Sequence, residues 1–230
     1  MSKIAFISDI HGNYSALSSV WEDIQKRNIT EVYCLGDIVG YYSQINLVLD
    51  FIRENKIPCI MGNHDYAMIY DKGVIERSKT CTMVLGRQLE MITQENFNFL
   101  KSCPEFLQLN INEYSIFCTH GGLNNYVDEY LNNLDEEYLK KLPQGTTHFI
   151  TAHTHLPLIK RFENIHYANT GSVGQPRDGD NRASYLIFEE GYFTLVRVSY
   201  DIDNVAQHMQ ENGFPSYIYE ILYKGTKIGG

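Results

Sequence analysis

A chain of 230 residues with 43% hydrophobic and 20% charged residues has the balance of a globular protein, and no run approaches the roughly 18 apolar residues that span a bilayer. Its 19 basic against 28 acidic residues leave a net charge of -9, the wrong sign for a face that neutralises phosphates, so bulk nucleic-acid binding is disfavoured. The five cysteines show no CxxC spacing and read as reduced thiols, and the N-terminal apolar run stops at Ser8-Asp9, too short for a secretion signal; the expected location is the cytoplasm.

Taken in chain order, the first third alternates buried runs with helical patterns, the signature of βαβ units. Residues 3–8 predict a strand, Leu17, Val20, Trp21 and Ile24 a helix, and residues 31–35 a second strand. Ile45, Val48, Leu49 and Ile52 mark another helix, and a strand over 58–61 runs into Gly62-Asn63-His64-Asp65. Residues 66–106 read as two or three helices forming a cap-like insert, with Thr93 as an N-cap and Pro104 as a stop. Residues 107–118 show strand character with a turn at Asn112-Glu113. Val127, Leu131, Leu134 and Tyr138 fall on a helical stripe whose acidic residues, Asp128, Glu129, Asp135, Glu136 and Glu137, would form a solvated face. Short β runs fill residues 148–200, antiparallel or mixed, and a closing helix includes Val205 and Met209, with a further turn after Pro215. No repeat or linker interrupts the chain, so residues 1–230 read as one α/β domain with two packed sheets flanked by helices.

Five of the eight histidines lie in polar clusters at predicted strand ends: His11, His64, His120, His153 and His155. In an extended chain residues two apart share a face, so Asp9 with His11, and His153 with His155, are each expected to grip one site. Asp37 after Gly36, Asn63 after Gly62, and His120 before Gly121 complete a set of seven oxygen and nitrogen ligands. That is too many for one tetrahedral ion and suits two ions sharing a carboxylate. Imidazole, carboxylate and amide without thiolate suit manganese, iron, zinc, cobalt or nickel. Two divalent ions against Asp9, Asp37 and a hydroxide leave positive charge that attracts a phosphate. His64 is then free to act as a proton donor, with Asp65 accepting from one ring nitrogen and orienting it.

In this order, Asp9-Ile10-His11, Gly36-Asp37, Gly62-Asn63-His64-Asp65, His120 and His153-Thr154-His155 resemble the calcineurin-like metallophosphoesterase superfamily. Gly36-Asp37-Ile38-Val39-Gly40-Tyr41, the segment from Asn169 to Arg177 and the closing Gly213-Phe214-Pro215 look like its small prokaryotic branch of phosphodiesterases and diadenosine-polyphosphatase-like proteins. The resemblance implies a four-layer αββα sandwich of two mixed sheets with a dinuclear site at the strand ends. It implies one metal on Asp9, His11, Asp37 and His155, and a second on Asp37 as bridge, Asn63, His120 and His153, with manganese the first expectation. It also implies attack on phosphorus by a metal-bridging hydroxide, with His64 aiding departure of the leaving group and no covalent intermediate. Three positions depart from the usual pattern: Ala152 before the His-x-His pair, Thr170 before Gly171, and Tyr42-Ser43-Gln44-Ile45 after Gly40-Tyr41. These bear on loops and specificity rather than on the ligands.

The expected activity is hydrolysis of small soluble phosphodiesters or nucleotide pyrophosphates, with a phosphomonoesterase as the nearest alternative and an interaction scaffold or nuclease further off. Asn63 and His64 are expected to touch substrate. Arg177 is the best additional candidate, since a guanidinium can hold two phosphate oxygens, and a surface salt bridge is an equal explanation for it. Tyr41, Tyr42 and Tyr66 lie near site residues in sequence, where core or cap packing is the simpler reading than stacking on a base.

Overall fold

A computed structural model of the chain describes residues 3–131 and 134–228. β1 (Ile4–Ile7) is buried at all four positions, and α1 (Tyr14–Lys26) turns Leu17, Val20 and Ile24 toward the core while Asn13 caps its first turn, accepting from the Ala16 amide at 3.0 Å. β2 (Glu31–Cys34) pairs parallel with β1, and α2 (Ile45–Glu54) adds Ile45, Val48, Leu49 and Ile52 to the same cluster. Each such fully buried aliphatic contributes about 1.5–3 kcal/mol. The strand expected over 58–61 shrinks to one parallel bridge between Cys34 and Cys59. Pro58 has no N–H to donate, and α3 (Asn63–Tyr70) begins directly after Gly62, so the ladder cannot lengthen.

α3, α4 (Lys79–Met91) and α5 (Gln94–Ser102) form the expected helical region, and Thr93 caps α5 by accepting from the Asn96 amide at 3.2 Å. β3 (Phe106–Ile111) and β4 (Tyr114–Thr119) make a hairpin about Asn112-Glu113. The stripe from Val127 to Tyr138 is not one helix among the described residues: only α6 (Glu136–Leu139) is helical, capped by Asp135. Side chains upstream compete with the helix. Asn125 accepts from the Val127 and Asp128 amides at 3.0 Å, and Glu129 accepts from the Asn124 amide at 2.7 Å and the Tyr138 hydroxyl at 2.8 Å. Leu131, Leu134 and Leu139 still pack on Phe117, Phe149 and Tyr167, so the stripe marks burial without the helix. Of the expected solvated acids, only Asp135, Glu136 and Glu137 are exposed.

Beyond β5 (His148–Thr151), β6 (Leu158–Arg161) and β7 (His166–Asn169), the chain returns through β8 (Ala183–Glu189) and β9 (Tyr192–Val198) to the first sheet, then closes with α7 (Ile202–Glu211), α8 (Tyr217–Glu220) and a 3-10 turn over Ile221–Lys224. The two mixed sheets run β2-β1-β8-β9 and β3-β4-β5-β7-β6. Ile4, Phe6, Leu186 and Phe188 of the first meet Ile116, Cys118, Ile150 and Ala168 of the second in a shared inner core. Helices α1 and α2 cover the outer face of the first sheet, and the segment around α6 covers the second, a thinner layer than the first. Within each sheet the parallel pairs β1–β2 and β4–β5–β7 run together, and their carboxyl ends meet at one edge of the sandwich. Among the described residues no helix is long and apolar enough to cross a membrane.

Candidate metal centre

All the candidate ligands but Asn63 follow the end of a strand. Asp9 and His11 follow β1, Asp37 follows β2, Asn63 opens α3, His120 follows β4, and His153 and His155 follow β5. The backbone there is not extended. Asp9 (φ 49), His11 (53), Asp37 (53), His153 (67) and His155 (60) all occupy the left-handed region that non-glycine residues seldom adopt. The i, i+2 spacing therefore delivers its ligands through tight turns rather than through the pleat, and the expectation of one site per pair fails for one of them. Asp9, His11, Asp37 and His155 form one set with ligand atoms within 4.8 Å of one another, while Asp37, His120 and His153 form another. His153 and His155 thus divide between the sets, and Asp37 belongs to both.

Backbone carbonyls fix the imidazoles. The Nδ1 atoms of His11, His120 and His155 lie against the carbonyls of Val39 (2.9 Å), Leu35 (2.7 Å) and Gln175. A carbonyl only accepts, so Nδ1 carries a hydrogen and Nε2 is the nitrogen turned inward. Ser8 donates to Asp9 Oδ2 at 2.6 Å, as does the His153 amide at 3.2 Å, and the His64 amide donates to Asp37 Oδ1 at 2.8 Å. The remaining oxygens face the rings: Asp37 Oδ2 lies 3.4 Å from His120 Nε2 and 3.6 Å from His11 Nε2, and Asp9 Oδ1 lies 3.2 Å from His155 Nε2.

Asp9 Oδ1, Asp37 Oδ2, Asn63 Oδ1, His120 Nε2 and His153 Nε2 are all buried without a hydrogen-bond partner. Leaving one such group unpaired costs about 1–3 kcal/mol, so a cluster of five aimed at one space fits cations that coordinate oxygen and nitrogen. The residues present thus suit divalent metal ions. Burial works against the charge on Asp37, yet the imidazoles of His120, His64 and His11 outweigh it and hold the carboxyl well below its ordinary range. Burial also opposes charge on His120, but the carboxylates of Asp37 and Asp9 push it up to about 10. Burial dominates at His11, His153 and His155 and keeps all three below the ordinary histidine value.

His64 lies with its Nε2 4.0 Å from Asp37 Oδ2, and the Asp37 carboxylate raises its pKa against the effect of burial. The expected orienting contact from Asp65 is absent: the Asp65 carboxylate instead accepts from the amides of Ile38 (3.0 Å), Val39 (3.1 Å) and Gly62 (3.0 Å). Placed at the start of α3, it stitches the Asp37 loop to the helix and cannot reach round to the ring of its own neighbour. His64 is positioned by packing, against Tyr41 (5.0 Å between centroids) and His11 (4.7 Å), and by Gly40, where a Cβ would come within 2.3 Å of His64 Nδ1.

A cavity of about 180 Å³ opens over these groups. Arg177 lines it and makes no surface salt bridge: its guanidinium donates to Gln175 Oε1 and, at 3.0 Å, to the Tyr41 hydroxyl. Arg182, by contrast, is exposed and pairs with Asp180. The three tyrosines part company, with Tyr42 in the core, Tyr41 in the cavity wall and Tyr66 out in a neighbouring cleft. Sequence reasoning did not single out Ile75, Arg77, Ser78 and Cys81 from the helical region, nor Tyr130 from the loop after β4, all of which line the cavity. They sit at no recurring spacing, and only tertiary folding brings them here.

Two stacked mixed sheets whose strand ends hold two Asp/His sets joined through one carboxylate define the class, a metal-dependent hydrolase. The calcineurin-like phosphoesterase superfamily domain matches residues 2–191, and the chain belongs to that superfamily as a phosphoester hydrolase. Protein MJ0912 of Methanocaldococcus jannaschii is 34% identical over 97% of this chain and 98% of its own. Phosphodiesterase YfcE of Escherichia coli is 25% identical over 90% of this chain and 97% of its own. A metallophosphoesterase structure from Sphaerobacter thermophilus superposes with a TM-score of 0.83 at 28% identity, covering 98% of this chain and 99% of that one.

Proposed function

We propose that the chain hydrolyses phosphodiester or nucleotide pyrophosphate bonds in small soluble substrates. The observation that carries this reading is the pair of ligand sets sharing Asp37 beneath the cavity. Asp9, His11, Asp37 and His155 would hold one divalent ion, and Asp37, Asn63, His120 and His153 the other, with manganese as the first choice and iron, zinc, cobalt or nickel also suited. Two such ions supply positive charge for the phosphoryl group and an activated water for in-line attack.

The protein's own groups complete the arrangement. Arg177, held by Gln175 and Tyr41, presents its guanidinium to a non-bridging oxygen. His64, favoured in its protonated form by Asp37, is placed to donate a proton to the departing oxygen. Room favours a diester over a monoester, because the cavity continues past Asn63, Ile75 and Arg77 into a cleft of about 830 Å³ that a second ester group can occupy. Five thiols without disulfide partners suit the reducing cytoplasm, where we place the protein.

The test is hydrolysis of bis(p-nitrophenyl) phosphate beside p-nitrophenyl phosphate by metal-stripped protein with manganese added back. Diester turnover that needs the metal supports the proposal. Preferential monoester turnover would replace it with a phosphatase.

A further inference from the structure

We infer that the proposed activity narrows to phosphodiesters whose second ester group is uncharged or cationic, so that nucleotide pyrophosphates, which carry a further phosphate beyond the scissile one, are rejected. The inference rests on the phosphodiesterase reading above and concerns the cleft of about 830 Å³ into which the metal cavity opens. Asn63, Ile75 and Arg77 line both spaces and so form the threshold between them. Asn63 is only 9% exposed, and its Oδ1 has no partner. Whatever extends from a phosphate held at the ions must pass this point.

Beyond the threshold the wall carries Asp71, Glu76, Glu105 and Asp128 against a single cation, Arg77. Arg77 offsets only one of them, since its guanidinium pairs with Asp128 and lies over the Tyr130 ring at 5.1 Å, which leaves Asp71, Glu76 and Glu105 to set the charge. The cavity itself would have the opposite character with its ions in place, so the path would run from a positive floor past the shared threshold to a negative vestibule. One phosphate suits the floor. A second or third phosphate would lie among the carboxylates, within the roughly 8–10 Å over which charges are felt at ordinary salt. An ammonium group would be attracted there, and an uncharged alcohol would meet Tyr66, Val74 and Val127, which supply apolar wall. The chemistry thus points to diesters of amino alcohols, polyols or nucleosides and away from dinucleoside polyphosphates. Water cleaves such a diester to one monoester and one alcohol, with no other reactant.

The test uses the manganese-loaded protein and three p-nitrophenyl phosphodiesters whose second alcohol is choline, ethanol or glycolate, giving a cationic, neutral or anionic group of similar size. The expected order of kcat/KM is choline, then ethanol, then glycolate, with about a tenfold span between the ends. That span should contract as sodium chloride rises from about 20 mM to about 500 mM, a response that steric fit alone does not produce. In the double variant Glu76→Gln, Glu105→Gln the ratio of choline to glycolate ester should fall toward one. Equal or reversed ranking in the unaltered protein overturns the inference while leaving the hydrolase reading intact. No turnover of any of the three, with metal bound, overturns both together.

Discussion

The loops that carry the candidate metal ligands are buried and tied down by backbone hydrogen bonds, whereas the cleft beyond Arg77 is walled largely by exposed residues between α3 and α4 and after β4. Asp9 donates its own amide to the Gly36 carbonyl at 2.9 Å, and His11 does the same to Asp37, so the first loop is laced to the second before any ion arrives. Asp71 in the cleft is held only by the local turn that ends α3, its amide donating to the Ala67 carbonyl at 3.1 Å, and its exposed carboxylate, like that of Glu76, acts through charge. Cation binding demands ligands fixed to a fraction of an ångström, while selection by charge tolerates side chains that move. The difference lets the ester group vary without disturbing the chemistry beneath it.

The largest expected effect comes from breaking the shared ligand. Asp37→Asn should lower the affinity for both ions together and reduce turnover by at least about 1,000-fold, as counted by elemental analysis beside the diester assay. Loss of only one ion would show that Asp37 does not serve both sets. Next in size, His64→Ala should keep both metals and lower turnover by about 100- to 10,000-fold, with the deficit smallest for the most acidic leaving alcohol. Release of a metal would instead make His64 a ligand.

Two predictions probe the rigidity of the metal side. A Cβ at Gly62 would come 2.2 Å from the Asp37 amide nitrogen and from Asp37 Oδ1, atoms that cannot step aside. Gly62→Ala should therefore cost about 1–3 kcal/mol of stability and weaken metal binding with it, seen as a lower melting temperature in both metal-free and loaded protein. Acid should do something similar without mutation. In the metal-free protein His11, His153, His155 and His148 are held below the ordinary histidine value, so the folded state binds fewer protons than the unfolded one near that value. Their contribution is intact above the unfolded pKa of about 6.5 and is lost as the pH falls below it. His120, raised to about 10, and His64, also raised, work oppositely, but their contributions are complete once the pH is below 6.5; Asp65, raised to about 7 by burial, takes up its proton in the folded state over this same window and offsets part of the loss. With four lowered imidazoles losing stability against one raised carboxyl gaining it, the metal-free protein should melt lower at pH 5 than at pH 7, and a flat profile would count against neutral His11, His153 and His155. The smallest effect belongs to the cleft, where the stability change on neutralising Glu76 and Glu105 should stay within about 0.5 kcal/mol.

Sequence patterning was informative where chemistry repeats at strand ends. The polar residues after β1, β2, β4 and β5 that the sequence singles out are ones the structure brings together in two Asp/His clusters, because an apolar run that stops at Asp or His marks the edge of a buried sheet. It failed where side chains rewrite the backbone locally. The stripe through Val127 and Leu131 looked helical, but Asn125 and Glu129 hold that loop by their own hydrogen bonds. Asp65 looked like a partner for its neighbour His64, and only the fold reveals that three amides claim it first. Arg77 and Tyr130 were invisible for a third reason, since residues separated by a whole hairpin meet only when both sheets have closed.

The left-handed turns at Asp9, His11, Asp37, His153 and His155 have a practical consequence for anyone who would transplant the site. A list of these side chains grafted onto regular strand ends of another scaffold would point them along the wrong vectors, since the ordinary β conformation sends alternate residues to opposite faces. What would have to be copied is the contorted main chain together with the carbonyls that brace it. The unit of inheritance for this chemistry is a set of loops, and the residues alone are an incomplete recipe.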